Sequence, residues 1–161
     1  MFQHSCAARR KKLDRPRHAR AKLAGVTPSI RVRREIIDAL LLHARAQPAL
    51  ESCGLLAGRD SLITNFYPAQ NVSPTPATSY EIAQPDLFRI LREIRKNNQE
   101  LLAICHSHPT TENTPSPTDI ATAYYPAAAY IIVDPRPEAR NPIRAFQIRK
   151  AQVTERPIAT A

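Results

Sequence analysis

Two segments of the chain repeat apolar residues at helical spacing. Between residues 33 and 46, apolar side chains return every three or four positions, which predicts an amphipathic helix that ends before Pro48. Pro85 suits the first turn of a second helix. Its apolar positions follow an i, i+3, i+4, i+7 pattern: Leu87, Ile90, Leu91 and Ile94. A short third helix is predicted to start near Ser116.

Shorter apolar or alternating segments between these helices predict strands. They lie at residues 30–32, 53–57, 61–67, 101–105, 130–133 and 143–148, with a shorter candidate at Tyr80 and Ile82. Gly58 closes the second segment and makes a hairpin with the third plausible. Proline-rich segments predict the intervening loops: 68–78, 109–117 and 135–142. Because strands and helices are mixed along the chain, we expect an α/β domain with a mixed central sheet flanked by helices.

Composition supports one folded domain. The chain has 161 residues, 43% of them apolar, which is enough for a hydrophobic core. No segment approaches the roughly 20 apolar residues of a membrane helix, and the N-terminus lacks the apolar core of a secretory signal. We therefore expect no membrane span and a cytoplasmic protein. The cysteines Cys6, Cys53 and Cys105 have no framework spacing and are expected to be reduced thiols.

The net charge of +9 is concentrated at the N-terminus. Residues 1–25 hold eight basic residues against Asp14, a local net charge of +7, so the remainder is close to neutral. Like charges without an apolar repeat are typical of disorder. We therefore divide the chain into a basic disordered arm at 1–26, a folded domain at 27–152 and a flexible C-terminal tail at 153–161.

The basic arm has three interpretations. Its arginines and lysines could bind nucleic acid or an anionic surface weakly through phosphate contacts. It could equally be a solvated extension without a partner, as most charge runs are. A third interpretation is a misassigned gene start, with Val26 as the true start from a GUG codon.

The segment most informative about chemistry is His106-Ser107-His108, followed by Asp119. Residues i and i+2 of a strand point to the same face, so the two imidazoles can meet one ion while Ser107 and Cys105 face the other way. Two imidazoles and one carboxylate suit Zn²⁺, and three protein ligands leave a fourth position for water. Zinc lowers the pKa of such a water to about 7. The pattern therefore predicts a hydrolytic zinc site.

Each part of this pattern has a structural alternative. A His-x-His at a strand end also occurs as ordinary surface polarity. Ser116 and Pro117 also suit a helix start, in which Asp119 would complete a capping box. Capping and metal binding by Asp119 are compatible. Cys53 and Cys105 are expected to pack as small apolar residues, with a thiolate ligand or redox switch as the alternative.

The chain resembles the JAMM/MPN+ metalloprotease family. The motif of that family is an upstream glutamate, then His-x-His, seven residues that include a proline, and Ser-x-x-Asp. Here Glu51 stands in Glu-Ser-Cys-Gly, His106 opens His-Ser-His-Pro, and Ser116 and Asp119 follow at the required distance from His108. The match covers most of the chain and leaves out the basic arm.

The resemblance implies an MPN-like (cytidine deaminase-like) fold and a role for each motif residue. His106, His108 and Asp119 would bind Zn²⁺, with water as the fourth ligand. Glu51 would accept a proton from that water and deliver it to the leaving amine. Ser116 would donate a hydrogen bond to the water or to the developing oxyanion. Ser107 would be structural, since its side chain faces away from the metal.

The resemblance also implies a class of substrate. Members of the family cleave beside the flexible C-terminal tail of ubiquitin or related proteins. Small bacterial members are associated with sulfur-carrier proteins that end in Gly-Gly. We therefore expect amide or isopeptide hydrolysis at the tail of such a partner, which would add a strand to an edge of the enzyme's sheet.

Two other functional classes compete with this interpretation. Related MPN domains without the motif are non-catalytic scaffolds, which would have no reason to retain Glu51 together with the three ligands. A nucleic-acid-associated protein is supported only by the basic arm. A zinc nucleoside deaminase is excluded, because the chain has neither His-x-Glu nor Pro-Cys-x-x-Cys.

Overall fold

The computed structural model describes residues 28–161, so the predicted basic arm lies outside the described residues. Three helices occur in this part of the chain: α1 (Arg34–Ala46), α2 (Gln84–Lys96) and α3 (Pro117–Ala121). Eight strands accompany them: β1 (Ile30–Val32), β2 (Cys53–Arg59), β3 (Leu62–Ala69), β4 (Glu100–Ser107), β5 (Ala129–Val133), β6 (Ile143–Arg149), β7 (Gln152–Arg156) and β8 (Ile158–Thr160). None of the helices within 28–161 is long and apolar enough to cross a membrane.

All eight strands belong to one mixed sheet in the order β7-β6-β5-β4-β2-β3-β1-β8. The pairs β4–β5, β1–β3 and β1–β8 are parallel, and the others are antiparallel. The two end strands of this order, β7 and β8, are separated in sequence by Pro157 alone. Because one residue spans only a few ångströms, the sheet must curl until its two ends meet at Pro157.

The core lies on both faces of the sheet. Along β2, successive side chains alternate between the two faces, so Leu56 packs in the cluster on the α1 side and Leu55 in the cluster on the α2 side. Ile36 and Leu40 of α1 belong to the first cluster, and Ile90 of α2 belongs to the second. Because core residues cover both faces of β2, its sequence is a continuous apolar run rather than an alternation of apolar and polar residues.

The main expectations from sequence are confirmed. The fold is α/β with a mixed sheet, both long helices lie where the apolar spacing predicts them, and α3 begins directly after Ser116. The candidate strand at Tyr80 and Ile82 was wrong: a single bridge joins Asn71 to Ile82. The reason is that the segment is too short to extend the pairing beyond that bridge.

The flexible tail predicted at 153–161 is corrected by the structure, which places most of it in β7 and β8. β7 is mostly exposed, so its side chains give no burial pattern, and it is held by backbone pairing with β6. The tight turn before it uses Lys150 and Ala151 at positive φ, where Gly or Asn would signal a hairpin. β8 pairs in parallel with β1. No local sequence pattern predicts this contact between the two ends of the described chain.

Candidate metal centre

The end of β4 brings two histidines to one face of the sheet. His106 and His108 are 1% and 4% exposed, and their Nε2 atoms lie 3.0 Å apart. The backbone N–H of His108 donates to the carbonyl of Val133 at 2.9 Å, which keeps the chain extended past the last residue of β4. The alternation predicted from His-x-His is therefore confirmed, and both rings point into the protein.

Asp119 reaches the same place from the first turn of α3. Its Oδ1 lies 3.3 Å from His106 Nε2 and its Oδ2 lies 3.4 Å from His108 Nε2. Ser116 caps the helix: its Oγ accepts from the Asp119 N–H at 3.1 Å, and Asp119 Oδ2 accepts from the Ser116 N–H at 2.7 Å. Capping and the approach to the histidines thus occur together, and the cap fixes the carboxylate.

The three side chains satisfy the requirements of a zinc site. A tetrahedral Zn²⁺ with bonds of about 2.0–2.1 Å separates its donor atoms by about 3.3 Å. The distances among His106, His108 and Asp119 run from 3.0 to 3.4 Å, and all three residues are buried. Two imidazoles and one carboxylate are also the donor set that zinc prefers. The residues present therefore fit the ion.

The protonation states of the cluster favour metal binding. Burial raises the pKa of Asp119, but hydrogen bonds from His106 and His108 outweigh it and hold that pKa well below its usual range. Burial lowers the pKa of His106, although Asp119 opposes the shift. His108 Nδ1 lies 2.7 Å from the carbonyl of Glu112, which can only accept, so Nδ1 carries a proton. Nε2, which faces Asp119, donates to that carboxylate when the ring is protonated and offers a lone pair for a metal when the ring is neutral.

Glu51 lies beside these residues because β2 and β4 pair across the site. Cys53 pairs with His106, and the Ser107 N–H donates to the Ser52 carbonyl at 3.0 Å, so Glu51 falls opposite His108. The side chain of Glu51 is 6% exposed, and its Oε2 has no hydrogen-bond partner within residues 28–161. Burial raises the pKa of Glu51 to about 7, with His108 lowering it and Asp119 raising it.

The backbone around Glu51 is fixed on both sides. Its N–H donates to the carbonyl of Pro76 at 2.7 Å, and its carbonyl accepts from Asn71 Nδ2 at 2.9 Å. The same Asn71 amide donates to the carbonyl of Ser79. Asn71 and Pro76, both in the loop predicted from sequence at 68–78, therefore hold the backbone on either side of the carboxylate.

Tyr80 is a site residue that the sequence did not reveal. Its ring stacks on the His106 ring, with centroids 4.4 Å apart and an angle of 20° between the planes. Burial raises the pKa of the Tyr80 hydroxyl, so it stays protonated. The alternation of Tyr80 with Ile82 was the available signal, but it says nothing about a contact with a residue 26 positions later.

The two thiols pack as expected. Cys105 belongs to the core cluster on the α1 side, on the face of the sheet opposite His106. Cys53 is fully buried, and burial raises its pKa to about 12. Burial also raises the pKa of Cys105. Both thiols are therefore protonated at neutral pH and poor metal ligands.

Two cavities flank the centre. The first, which we name the Asp119-side groove, has a volume of about 420 Å³. Its lining includes Asp119, Tyr80, Ile82, Tyr124 and Tyr130. The second, the Glu51-side cavity, has a volume of about 350 Å³ and lies between the end of α1 and the segment 69–76. The two cavities share no lining residue.

Comparison with known proteins finds a family match. The family of prokaryotic homologs of the JAB domain matches residues 33–149. The CysO-cysteine peptidase of Mycobacterium tuberculosis is 31% identical over 129 residues, 79% of this chain and 88% of that protein. The desampylase of Haloferax volcanii is 34% identical over 104 residues, 61% of this chain and 75% of that protein. A probable TtuB-protein conjugate cleaving protease of Thermus thermophilus is 31% identical and covers 75% of this chain and 77% of its own length.

Solved structures show the same architecture. Protein DSY2949 of Desulfitobacterium hafniense superposes with a TM-score of 0.72 at 28% identity, covering 81% of this chain and 92% of that one. A structure described as a JAMM metalloprotease-like zinc site in the proteasome and signalosome superposes with a TM-score of 0.53 at 18% identity. The superposition covers 81% of this chain and 98% of that one. At that identity the second likeness concerns the fold alone.

Proposed function

This chain belongs to the family of prokaryotic homologs of the JAB domain and is a JAMM-type peptidase, and on that premise we propose that it is zinc-dependent and acts on the C-terminal tail of a ubiquitin-like or sulfur-carrier protein. The observation that carries the proposal is the convergence of His106, His108 and Asp119 beside the buried carboxylate of Glu51. Relatives named for the cleavage of CysO-cysteine and of TtuB conjugates support the class of substrate.

The chain's own residues divide the work of amide hydrolysis. Bound at His106, His108 and Asp119, zinc would supply Lewis acidity and a water of lowered pKa. Glu51 accepts the proton of the attacking water on its carboxylate and delivers it to the nitrogen of the leaving amine. Its unpartnered Oε2 supports this role, because no hydrogen bond within residues 28–161 has to be broken first.

Ser116 is proposed to act through its hydroxyl. Its Oγ already accepts the N–H of Asp119, which fixes the oxygen in place at the start of α3. The hydroxyl hydrogen remains to be donated to the oxygen of the scissile carbonyl as charge develops there. Ser116 would thus both hold a metal ligand and stabilise the transition state.

The Asp119-side groove is proposed to receive the tail of the partner protein. Glu81 and Ile82 line this groove, and their segment pairs with residues 70–72 on its other side. The Val72 N–H donates to the Glu81 carbonyl and the Ala83 N–H to the Gln70 carbonyl, so the two hydrogen bonds flank Ile82. In an antiparallel pair of this kind, the N–H and C=O of Ile82 point to the opposite side. An extended tail can therefore pair with this edge, and terminal glycines allow the close approach that the metal centre requires.

Metal analysis and cleavage together test the proposal. Wild-type protein should contain about one zinc per chain, as a three-ligand site predicts, and should cleave a Gly-Gly-tailed carrier adduct. His108→Ala should lose both the zinc and the cleavage. Glu51→Gln should keep the zinc and lose cleavage, which separates metal binding from proton transfer.

The same experiment decides between the enzyme and the non-catalytic scaffold. A wild-type protein without zinc after zinc-replete expression would contradict the metal site and favour the scaffold. Zinc that survives in His108→Ala would contradict the ligand assignment. Exposed Leu42 on α1 offers a matched control, because Leu42→Ala should leave zinc content and cleavage unchanged.

A further inference from the structure

The two histidines of the metal centre are oriented in different ways. His108 Nδ1 lies 2.7 Å from the carbonyl of Glu112, so a hydrogen bond fixes the plane of its ring. His106 Nδ1 is buried and has no hydrogen-bond partner within residues 28–161. A metal-binding histidine almost always donates its other ring N–H to a carboxylate, a carbonyl or water, and this bond sets the ring plane. The ring of His106 must therefore be held by a different contact.

Tyr80 supplies that contact. Its ring lies at 20° to the ring of His106, with centroids 4.4 Å apart. The torsion that turns a histidine ring about its Cβ–Cγ bond has only a broad intrinsic preference, so neighbouring atoms decide the ring plane. A rotated imidazole would drive its edge into the face of the tyrosine. Stacking therefore restricts this torsion in a side chain that is fully buried.

Asn71 fixes the backbone on both sides of Tyr80. Asn71 Nδ2 donates to the carbonyl of Ser79 at 3.0 Å, and Asn71 Oδ1 accepts from the N–H of Glu81 at 3.0 Å. The isolated bridge between Asn71 and Ile82 extends the same contact along the backbone. The position of the tyrosine ring thus depends on an amide from another part of the loop.

The same amide also reaches the proposed proton-transfer residue. Asn71 Nδ2 donates its second hydrogen to the Glu51 carbonyl at 2.9 Å, and Oδ1 accepts a second bond from the Ser73 N–H at 2.9 Å. An asparagine amide can donate two hydrogen bonds and accept two, so the capacity of Asn71 is fully used. One side chain therefore connects the backbone of Glu51 to the residue that packs on His106.

Core packing is the simpler explanation for a buried tyrosine, and Tyr67 makes the comparison possible. Both Tyr80 and Tyr67 pack against the α2-side core. The Tyr67 hydroxyl donates to Gln99 Oε1 at 2.9 Å. Among the ring pairs of residues 28–161, Tyr80 stacks on His106 and Tyr67 takes part in none. Replacement of the two residues therefore separates loss of core packing from loss of the stack.

We propose that Tyr80 is a positioning residue for His106, with its ring in place of a hydrogen bond at Nδ1, and that Asn71 positions Tyr80 and Glu51 together. The inference rests on the proposed function, because the ring plane of His106 matters to catalysis only if this residue binds zinc. A ring held in its binding orientation beforehand needs less ordering when the metal arrives. Tyr80 therefore contributes to affinity for zinc without taking part in proton transfer.

A first experiment measures zinc affinity by chelator competition in three variants. Tyr80→Phe keeps the flat ring and should keep the wild-type affinity. Tyr80→Leu keeps an apolar side chain without the ring and should weaken zinc binding about tenfold. Tyr67→Leu makes the same replacement in the same core, away from His106. It should keep the wild-type affinity, and denaturant unfolding compares the stability that each leucine variant loses.

Three results would overturn the role of Tyr80. Wild-type affinity in Tyr80→Leu would show that the stack is dispensable. An equal loss of affinity in Tyr80→Leu and Tyr67→Leu would assign the effect to core packing. An equal loss in Tyr80→Phe and Tyr80→Leu would assign it to the hydroxyl rather than to the ring.

The role of Asn71 is tested by a double substitution. Asn71→Ala should weaken zinc binding, and its loss should not add to that of Tyr80→Leu, because Asn71 acts through Tyr80. Ser73→Ala is the control: it removes hydroxyl contacts with Ser79 Oγ and the Thr75 N–H and keeps the bonds of the Asn71 amide. Its affinity should match wild type. Additive losses, or wild-type affinity in Asn71→Ala, would contradict this link.

A measurement on metal-free protein separates this inference from the proposed function. If the wild type binds no zinc, the proposed function fails, and the order of the His106 ring is then the deciding observation. In histidine-labelled protein, the ring C–H signals of His106 should be single and narrow in wild type and Tyr80→Phe. Exchange on the μs–ms timescale should broaden them in Tyr80→Leu and Asn71→Ala. Equally narrow signals in all four proteins would refute the positioning role.

Discussion

The backbone N–H of Ser52 donates to Oγ of Ser107 at 2.8 Å, which ties the residue after Glu51 to the residue between the two histidines. The two hydroxyls also lie 3.1 Å apart, and the Ser107 N–H donates back to the Ser52 carbonyl at 3.0 Å. Ser107 is fully buried. Three polar contacts between Ser52 and Ser107 therefore fix Glu51, the proposed proton-transfer group, to the proposed ligands His106 and His108.

Replacement of Ser107 tests this link. Ser107→Ala leaves the Ser52 N–H without its buried acceptor, which should lower the free energy of unfolding by about 1–3 kcal/mol. Both histidines remain, so zinc content should persist while kcat falls more than KM rises. Denaturant unfolding, metal analysis and steady-state kinetics measure the three quantities.

Ser52→Ala is the matched control for that substitution. It removes only the contact between the hydroxyls and keeps the N–H bond to Ser107, so its effects should be smaller. An equal loss of kcat in the two variants would show that the hydroxyl of Ser52, rather than the fixed backbone, matters for Glu51.

Zinc affinity should fall as the pH is lowered. Burial lowers the pKa of His108, but hydrogen bonds to Asp119 and the Glu112 carbonyl and the negative charges of Asp119 and Glu51 raise it above its ordinary 6.5. Zinc needs the neutral imidazole. A raised pKa means that protons begin to compete above pH 6.5, whereas Asp119, whose pKa is lowered, stays ionised.

Chelator competition between about pH 8 and pH 6 measures this dependence. The apparent affinity should drop progressively over that window as His108 takes up a proton. An affinity that stays constant down to pH 6 would contradict the raised pKa of His108 in the metal-free protein.

The loop after His108 should also affect the affinity for zinc. Asn113 is 7% exposed, and its Nδ2 donates to the carbonyl of Asn141 at 2.8 Å. This bond anchors the loop that presents the Glu112 carbonyl to His108 Nδ1. Asn113→Ala should release that carbonyl and weaken zinc binding about tenfold, because the group that orients the His108 ring would no longer be held in place.

Thr114→Ala is the control for Asn113→Ala, since Thr114 lies in the same loop and its backbone N–H bond to the Glu112 carbonyl survives the change. Zinc affinity measured by chelator competition should match wild type in this control. Unchanged affinity in Asn113→Ala itself would show that Glu112 is held without the anchor.

The clustering of His106, His108 and Asp119 was predictable from sequence because it follows from local spacing. His106 and His108 share a face through strand alternation, and Asp119 sits at a recognisable helix start. Glu51 is different: 55 residues separate it from His106, and only resemblance to a family singled it out. Pairing of β2 with β4, which no short pattern encodes, places it opposite His108.

The last residues of the chain were mispredicted for a related reason. β8 is stabilised by its contacts with β1, about 130 residues earlier, rather than by its own sequence. The Ile30 N–H donates to the Pro157 carbonyl at 2.7 Å, and the Ala161 N–H donates to the Val32 carbonyl at 2.9 Å. Ile158 is partly buried against the α1-side core. A segment with this many long-range contacts cannot be recognised from local composition.

Truncation after Arg156 follows from those contacts. Removing β8 breaks its pairing with β1 and uncovers the edge beside the α1-side core, which should lower the free energy of unfolding by about 2–4 kcal/mol. Thermal and denaturant unfolding measure the loss. Ile158→Ala in the full chain keeps the backbone pairing and should lose only part of that stability. Because β8 lies at the end of the sheet away from β4, zinc content should be retained in both proteins. A truncated protein as stable as the full chain would contradict this role of β8 and support the flexible tail predicted from the local sequence.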